Sequence, residues 1–411
     1  MVVLYGRDYI PVSAKTGTGP RDVNLEVDEM KRKPLWAVAL GVAVCLIVLG
    51  IVKQRRASYG KQSGQVHVQG DTRDLANTIV TTHLEQRIVP GKNVIWCSTF
   101  QLAWNKLCYF TGGPIKMRRA PAMVDILNQR KAAKKDLDKA SYVAMVGLVE
   151  NGIEEKIRQV LDRKFRGQAE PELLSSVPIE GWVMYAYLAK SLPFRWAFDR
   201  FQGGLRFGGQ MVDSFGIEQF LGDEQRNEAK MATQVTVLDH RSNDDLVVEL
   251  RVKAKGDQLI LAKVPPEASL AETITMVEKR IADGKPTPMR EMEDLFVPVL
   301  DFKVVRYYKE LCGKQFKTAN GRLDNEEMGA ALQSIRFRLD ERGAVLKSEG
   351  VGAGGMTKRN LVFDKPFLVL LKRREAENPY FAMWVGNADL MILPGGAKAD
   401  EDLRLPGEKP E

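Results

Sequence analysis

Hydrophobic positions along this chain follow three rhythms in succession. The first is an unbroken apolar run, Leu35 to Val52 (LWAVALGVAVCLIVLGIV), without a single charge. As a helix it would extend roughly 27 Å, close to the thickness of a thin hydrocarbon core. Lys31, Arg32 and Lys33 precede it and Lys53, Arg55 and Arg56 follow, so cations stand ready at both headgroup layers. The run predicts one transmembrane helix over 35–52. The second rhythm is helical. Leu75, Ile79, Val80, Leu84 and Ile88 recur at helical spacing, residues 93–107 begin extended and turn helical, and helices are expected over 123–140 and 151–165. A strand is expected between the last two, over 141–147. The third rhythm is strand-like, over 182–189, 231–238, 246–252, 258–264, 295–302, 335–339, 367–371 and 380–385. Helices come first and strands later without regular βαβ alternation. This order predicts an α+β fold: a large central mixed or antiparallel sheet with N-terminal helices and the one N-terminal transmembrane helix.

Polarity divides the rest. Residues 1–34 are mixed in charge and poor in apolar side chains, which reads as a flexible arm, and 53–71 read as a polar, glycine-punctuated tether. One large domain spans 72–394, and 395–411 form a charged, turn-rich tail expected to be disordered. There are five Lys and Arg over 15–34 and four over 53–72, so flanking charge does not set the orientation. A short arm before a large C-terminal domain points to a single-pass protein with the domain on the extracytoplasmic side.

Candidate chemistry is sparse. The chain has 61 Lys and Arg against 53 Asp and Glu, a net +8 over 411 residues, too mild to imply nucleic acid. Three histidines are scattered, and Cys45, Cys97, Cys108 and Cys312 form no CxxC pair, so neither a Cys/His metal site nor any other cofactor is expected. No GxSxG elbow occurs, and an enzyme is not the expected class. Cys97 and Cys108 are far enough apart to bridge, though spacing alone does not decide it. A basic set, Lys116, Arg118, Arg119, Arg130, Lys131, Lys134 and Lys135, would place Lys131, Lys134 and Lys135 on one face of the 123–140 helix. That is either a polyanion patch or, since Asp136 and Asp138 dilute it, a solvated face.

Several weak motifs in order resemble one family. Phe363-Asp-Lys-Pro-Phe-Leu-Val-Leu-Leu371, a charged turn and Tyr380-Phe-Ala-Met-Trp-Val-Gly386 are similar to the ending of serpins. Ile335-Arg-Phe-Arg-Leu-Asp340-Glu-Arg-Gly343 resembles the strand leading into the serpin reactive loop. Asn93-Val-Ile, the stretch from Met184 to Asp199, and the pair Asp245–Leu250 and Gln258–Val264 resemble further serpin segments in the right order. The resemblance covers nearly all of 72–394.

What the resemblance implies is a bait loop, here Gly343 to Leu361, that inserts into the central sheet after cleavage. The positions to be buried would be Ala344, Leu346, Ser348, Gly350, Gly352 and Gly354, all small except Leu346. The scissile bond would lie among Gly355, Met356, Thr357 and Lys358. Serpins carry a polar gate under the sheet, and its matching positions here are Cys97, Phe100, Tyr185 and Gln333. All four depart from the family's residues, which predicts a bulkier, more apolar and static gate. The resulting expectation is a membrane-anchored, serpin-like protein acting by protein binding with degenerate, non-inhibitory loop insertion. Two alternatives stay open: a working suicide inhibitor of a serine or cysteine protease, and an envelope scaffold unrelated to serpins.

Overall fold

The computed structural model describes residues 66–67, 75–165, 180–218, 225–290, 292–342 and 359–395. All lie in the second of two compact units, Gln62–Glu411. The arm, the apolar run at 35–52, nearly all of the tether and nearly all of the tail lie outside the described residues. Among the described residues no helix is long and apolar enough to cross a membrane.

Three sheets organise the domain. The central sheet has five strands in the order β1 (Val66–His67), β14 (Leu300–Tyr307), β16 (Met328–Leu339), β6 (Trp182–Ser191) and β5 (Tyr142–Leu148). It is mixed: β1 with β14 and β16 with β6 are parallel, while β14 with β16 and β6 with β5 are antiparallel. Val66–His67, inside the stretch read as a tether, is thus an edge strand of this sheet. An eight-stranded sheet runs β12 (Thr287–Pro288), β9 (Val235–Ser242), β10 (Asp245–Leu250), β11 (Asp257–Lys263), β18 (Phe367–Arg373), β19 (Pro379–Val385), β3 (Asn93–Cys97) and β2 (Thr78–Thr81). A four-stranded sheet holds β17 (Asn360–Val362), β13 (Asp294–Pro298), β8 (Gln210–Ile217) and β7 (Asp199–Phe207), and a ribbon pairs β15 (Phe316–Lys317) with β4 (Lys116–Met117).

β6 and β19 are apolar on both faces because both faces are covered. Trp182, Met184, Ala186 and Leu188 of β6 join the main core together with Phe381 and Met383 of β19. The alternate residues Val183, Tyr185 and Tyr187 face outward, under the amphipathic helix α3 (Ile153–Phe165) with its stripe of Ile157, Leu161 and Phe165. Ala382 and Trp384 of β19 likewise pack under α5 (Leu270–Asp283), through Leu270, Ile274 and Val277. Helix α1 (Thr99–Phe110), with eight buried residues, fills the space between the sheets. The remaining helices are α2 (Met123–Leu127) and α4 (Gln225–Ala232).

Four local expectations need correction. The helix expected from Leu75 to Ile88 is instead strand β2 and irregular turns. Thr78–Thr81 is a β-branched run suited to a strand, and Ile79, Leu84 and Ile88 keep one face because the turns return them to the α5 side. The helix expected over 123–140 stops at Leu127: Arg130 takes φ +54°, and Lys134–Asp136 form a 3₁₀ turn. Asp136 and Asp138 accept the backbone N–H groups of Ala133 and Ala140, the local competition that makes Asp a poor helix-interior residue. The strand expected over 295–302 breaks at Val299, whose N–H goes to Asp213 O, so β13 and β14 enter different sheets. The strand expected over 231–238 starts only at Val235, after α4.

Candidate functional site

Strand β3 ends at Cys97 and the chain turns through Ser98 into α1, which brings Cys97, Thr99 and Phe100, all fully buried, beneath the central sheet. Gln333 sits within β16, opposite Ala186 of β6, with Arg306 of β14 on its other side. Its amide nitrogen donates to Thr99 Oγ1 at 2.9 Å and to Cys97 O at 3.2 Å, and its carbonyl oxygen accepts the Tyr308 hydroxyl at 2.9 Å. The Phe100 and Tyr308 rings lie 4.1 Å apart, and Cys97 Sγ is 3.4 Å from Thr99 Oγ1. Burial pushes the Cys97 thiol up to about 11, so it stays protonated.

The cluster at the expected gate positions is polar and hydrogen-bonded, where the substituted residues predicted an apolar packing. Three of the four expected positions, Cys97, Phe100 and Gln333, do meet. Tyr185 does not: side chains alternate along β6, and Tyr185 points to the opposite face, packing with Ile157 and Leu332. Burial raises the pKa of its hydroxyl above the ordinary tyrosine value. Ala186 occupies the Gln333 level instead and leaves room for the amide. Thr99 and Tyr308, missed in the sequence, complete the network. Thr99 is two residues from Cys97, but nothing short of the fold places Tyr308 beside α1.

The candidate loop positions Gly343, Ala344, Leu346, Ser348, Gly350, Gly355, Met356, Thr357 and Lys358 lie outside the described residues. The ends of that segment are well fixed. On its N-terminal side, the backbone N–H groups of Phe194 and Phe198 donate to Arg342 O and Glu341 O, and Arg200 joins Glu341 to Asp213. Asp340, buried beside Glu341, has its carboxyl raised to about 6 by desolvation and by that like charge, against the opposing pull of Arg342 and Arg338. On its C-terminal side, Arg359 binds Glu293 and the Thr287 hydroxyl, and Asn360 N donates to Asn243 Oδ1. Between these ends β16 and β6 are paired continuously from Met328 opposite Trp182 to Arg338 opposite Ser191, with one bulge near Gly329. Below Asp340, Asp301 is buried between Arg336 and Arg338.

The expected basic set is divided by the loss of the 123–140 helix. Lys131 pairs with Glu85, and Lys134 and Lys135 lie on the 3₁₀ turn. Lys116, Arg118 and Arg119 stay together but acquire new neighbours: β4 pairs with β15, setting Lys116 opposite Lys317, and Arg118 and Arg119 line a cleft of about 350 Å³ with Lys314, Gln315 and Glu327. Cys97, Cys108 and Cys312 are all free. A Cys97–Cys108 bridge is not formed, Cys97 pointing to Thr99 and Cys108 to Asn128. Among the described residues no three His, Cys, Asp or Glu side chains are placed to hold a metal ion.

No protein-family model and no curated protein sequence matches the chain. It is similar to solved structures of serpins. Serpin48 of the insect Tenebrio molitor, described as highly specific, shares 11% identity at a TM-score of 0.42, covering 72% of this chain and 92% of that one. Serpin-12 of Manduca sexta, a serine protease inhibitor, shares 14% at 0.44, covering 72% and 92%. The mouse protein-Z dependent protease inhibitor shares 13% at 0.46, covering 72% and 91%. These solved structures belong to the family that the ordered sequence motifs resemble.

Proposed function

We propose that this is a membrane-anchored, serpin-like binding protein that presents residues 343–358 to a protein partner without inserting them into its own central sheet. The observation that supports this reading is the uninterrupted pairing of β16 with β6. A strand entering between them would first have to break that ladder and part the Gln333 network beneath it. The segment offers little in return, since Gly350, Gly352 and Gly354 have low strand propensity and Leu346 is large. The anchor is the apolar run Leu35 to Val52, with the domain on the extracytoplasmic side. Binding of this kind needs no catalytic side chain and no cofactor.

The hydrogen bonds of Gln333 favour a second reading. A polar gate can re-form its bonds after opening, as an apolar plug cannot, and a working inhibitor of a serine or cysteine protease would use it. One experiment separates the two. The protein is incubated with a panel of such proteases, and the products are resolved on denaturing gels and by thermal unfolding. Binding without insertion predicts cleavage within 343–358, no SDS-stable complex and no rise in unfolding temperature. A stable complex would overturn it in favour of inhibition.

A further inference from the structure

At the end of the central sheet where β6 and β16 begin, remote from Arg342, aromatic and basic side chains from distant parts of the chain converge. Tyr109 and Phe110, closing α1, are 84% and 46% exposed and adjacent, although nearly every other large apolar side chain among the described residues is covered. Asn320 ties the next turn to them, its side chain donating to Phe110 O and its backbone N–H to Thr111 O. Beside them the β4–β15 ribbon buries Met117 and Phe316 and turns Lys116 and Lys317 outward as direct cross-strand partners. Arg118, Arg119 and Lys314 extend the positive surface along the neighbouring cleft. Exposed Glu327 lines the same cleft. Hydrogen bonds from Thr318, helped by Lys317, hold the Asp324 carboxyl below its ordinary value. The five cations outnumber the neighbouring carboxylates Asp324, Glu326 and Glu327. None of these five cations is within ion-pair distance of a carboxylate in the described residues.

Like charges directly opposed in a strand pair oppose folding, and exposed paired aromatics do the same for solubility. A single partner relieves both: an interface that is anionic and also accepts rings. We propose that this end of the domain docks on the surface of an anionic lipid bilayer, with Tyr109 and Phe110 at headgroup level and Lys116, Lys317, Arg118, Arg119 and Lys314 among the lipid phosphates and carboxylates. A soluble polyanion would satisfy the cations but leave the rings in water. The twelve residues of β16 span roughly 40 Å, so a domain seated this way holds Arg342 on the side away from the membrane. The proposal rests on this patch and does not require the 35–52 anchor.

Hydrogen–deuterium exchange of the full chain on phosphatidylcholine vesicles, with and without phosphatidylserine, tests it. The expected result is added protection of 109–119 and 314–322 only with phosphatidylserine. That protection should be lost at high salt, in Lys116→Glu/Lys317→Glu, and in Tyr109→Ser/Phe110→Ser. These positions are exposed, so exchange elsewhere in the domain should match the parent and report intact folding. Insertion of the apolar run holds the chain on both vesicles alike, and its failure leaves the difference between lipids readable. Equal exchange on the two lipids overturns the proposal. So does protection by soluble dextran sulfate that the aromatic variant leaves unchanged, which would make the partner a polyanion.

Discussion

Gln333→Leu removes an amide from the gate while keeping nearly its volume, so the change isolates hydrogen bonding from packing. Three buried groups each lose one hydrogen bond: Thr99 Oγ1, Cys97 O and the Tyr308 hydroxyl. Leaving a buried polar group unpaired costs about 1–3 kcal/mol. Thr99 Oγ1 retains Cys97 Sγ nearby, so the sum is expected near the low end, about 3–4 kcal/mol. Gln333→Ala adds a cavity and should cost about 1–2 kcal/mol more. Tyr308→Phe removes one bond and should cost about 1–2 kcal/mol. The double variant Gln333→Leu/Tyr308→Phe should be less harmful than the sum by about 1 kcal/mol, because both single variants break the same Tyr308–Gln333 bond. Equilibrium denaturation followed by tryptophan fluorescence reads all four, provided the slope with denaturant is unchanged. If Gln333→Leu lies within about 0.5 kcal/mol of the parent, the network contributes nothing and the gate is only a packed core.

Three further perturbations follow from the same structure. Gly386→Ala should destabilise by several kcal/mol in thermal unfolding, because a Cβ there would stand 2.2 Å from the carbonyl oxygen of Lys92; an unchanged midpoint would contradict the close approach. Asp340 binds its proton more tightly folded, at about 6, than unfolded, near 3.8. Its contribution to stability is therefore most favourable below pH 4, declines as pH rises toward 6 and stays reduced above. Asp340→Asn should remove that decline, raising stability at pH 7 relative to pH 5 in comparison with the parent, and identical pH profiles would refute the assignment. Asp301→Ala, which removes the carboxylate between Arg336 and Arg338 and leaves Arg336 only the carbonyls of Phe302 and Phe337, should cost about 3–5 kcal/mol in denaturant, whereas a loss below about 1 kcal/mol would mean that Asp340, the carbonyls and water already compensate the pair.

Much of the fold could be read from period and order. The strands of the third rhythm were identifiable because β6, β11, β18 and β19 are covered on both faces and so read as near-continuous apolar runs. α3 was identifiable because its stripe faces one sheet and the rest faces water. Errors arose where local chemistry competes with period: Asp136 and Asp138 divert the backbone from the 123–140 helix, and β-branched Thr78–Thr81 override an accidental helical spacing. α5 carries its own start signal in the sequence, Ser269, which caps it by accepting Glu272 N–H. Of the gate, Cys97, Phe100 and Gln333 came from the family resemblance. Tyr185 failed because a one-residue shift along β6 exchanges the faces of the sheet. Tyr308 and the Lys116–Lys317 pairing had no local signal, since each is created by contacts across some two hundred residues of chain.

The position of β18 and β19 also bears on how the domain is made. These strands, the last among the described residues, lie in the middle of the eight-stranded sheet, between β11 and β3. Until they emerge from the ribosome, β11 and β3 each carry an open edge able to recruit foreign strands. Asn93, at the start of β3, must likewise wait nearly three hundred residues for Gly386 and Asn387, whose N–H groups its side chain accepts. Folding can close only after synthesis through that point is complete, and pairings this distant are slow. The nascent protein thus passes through an interval with two open edges, and a premature stop before Phe367 would leave both unpaired.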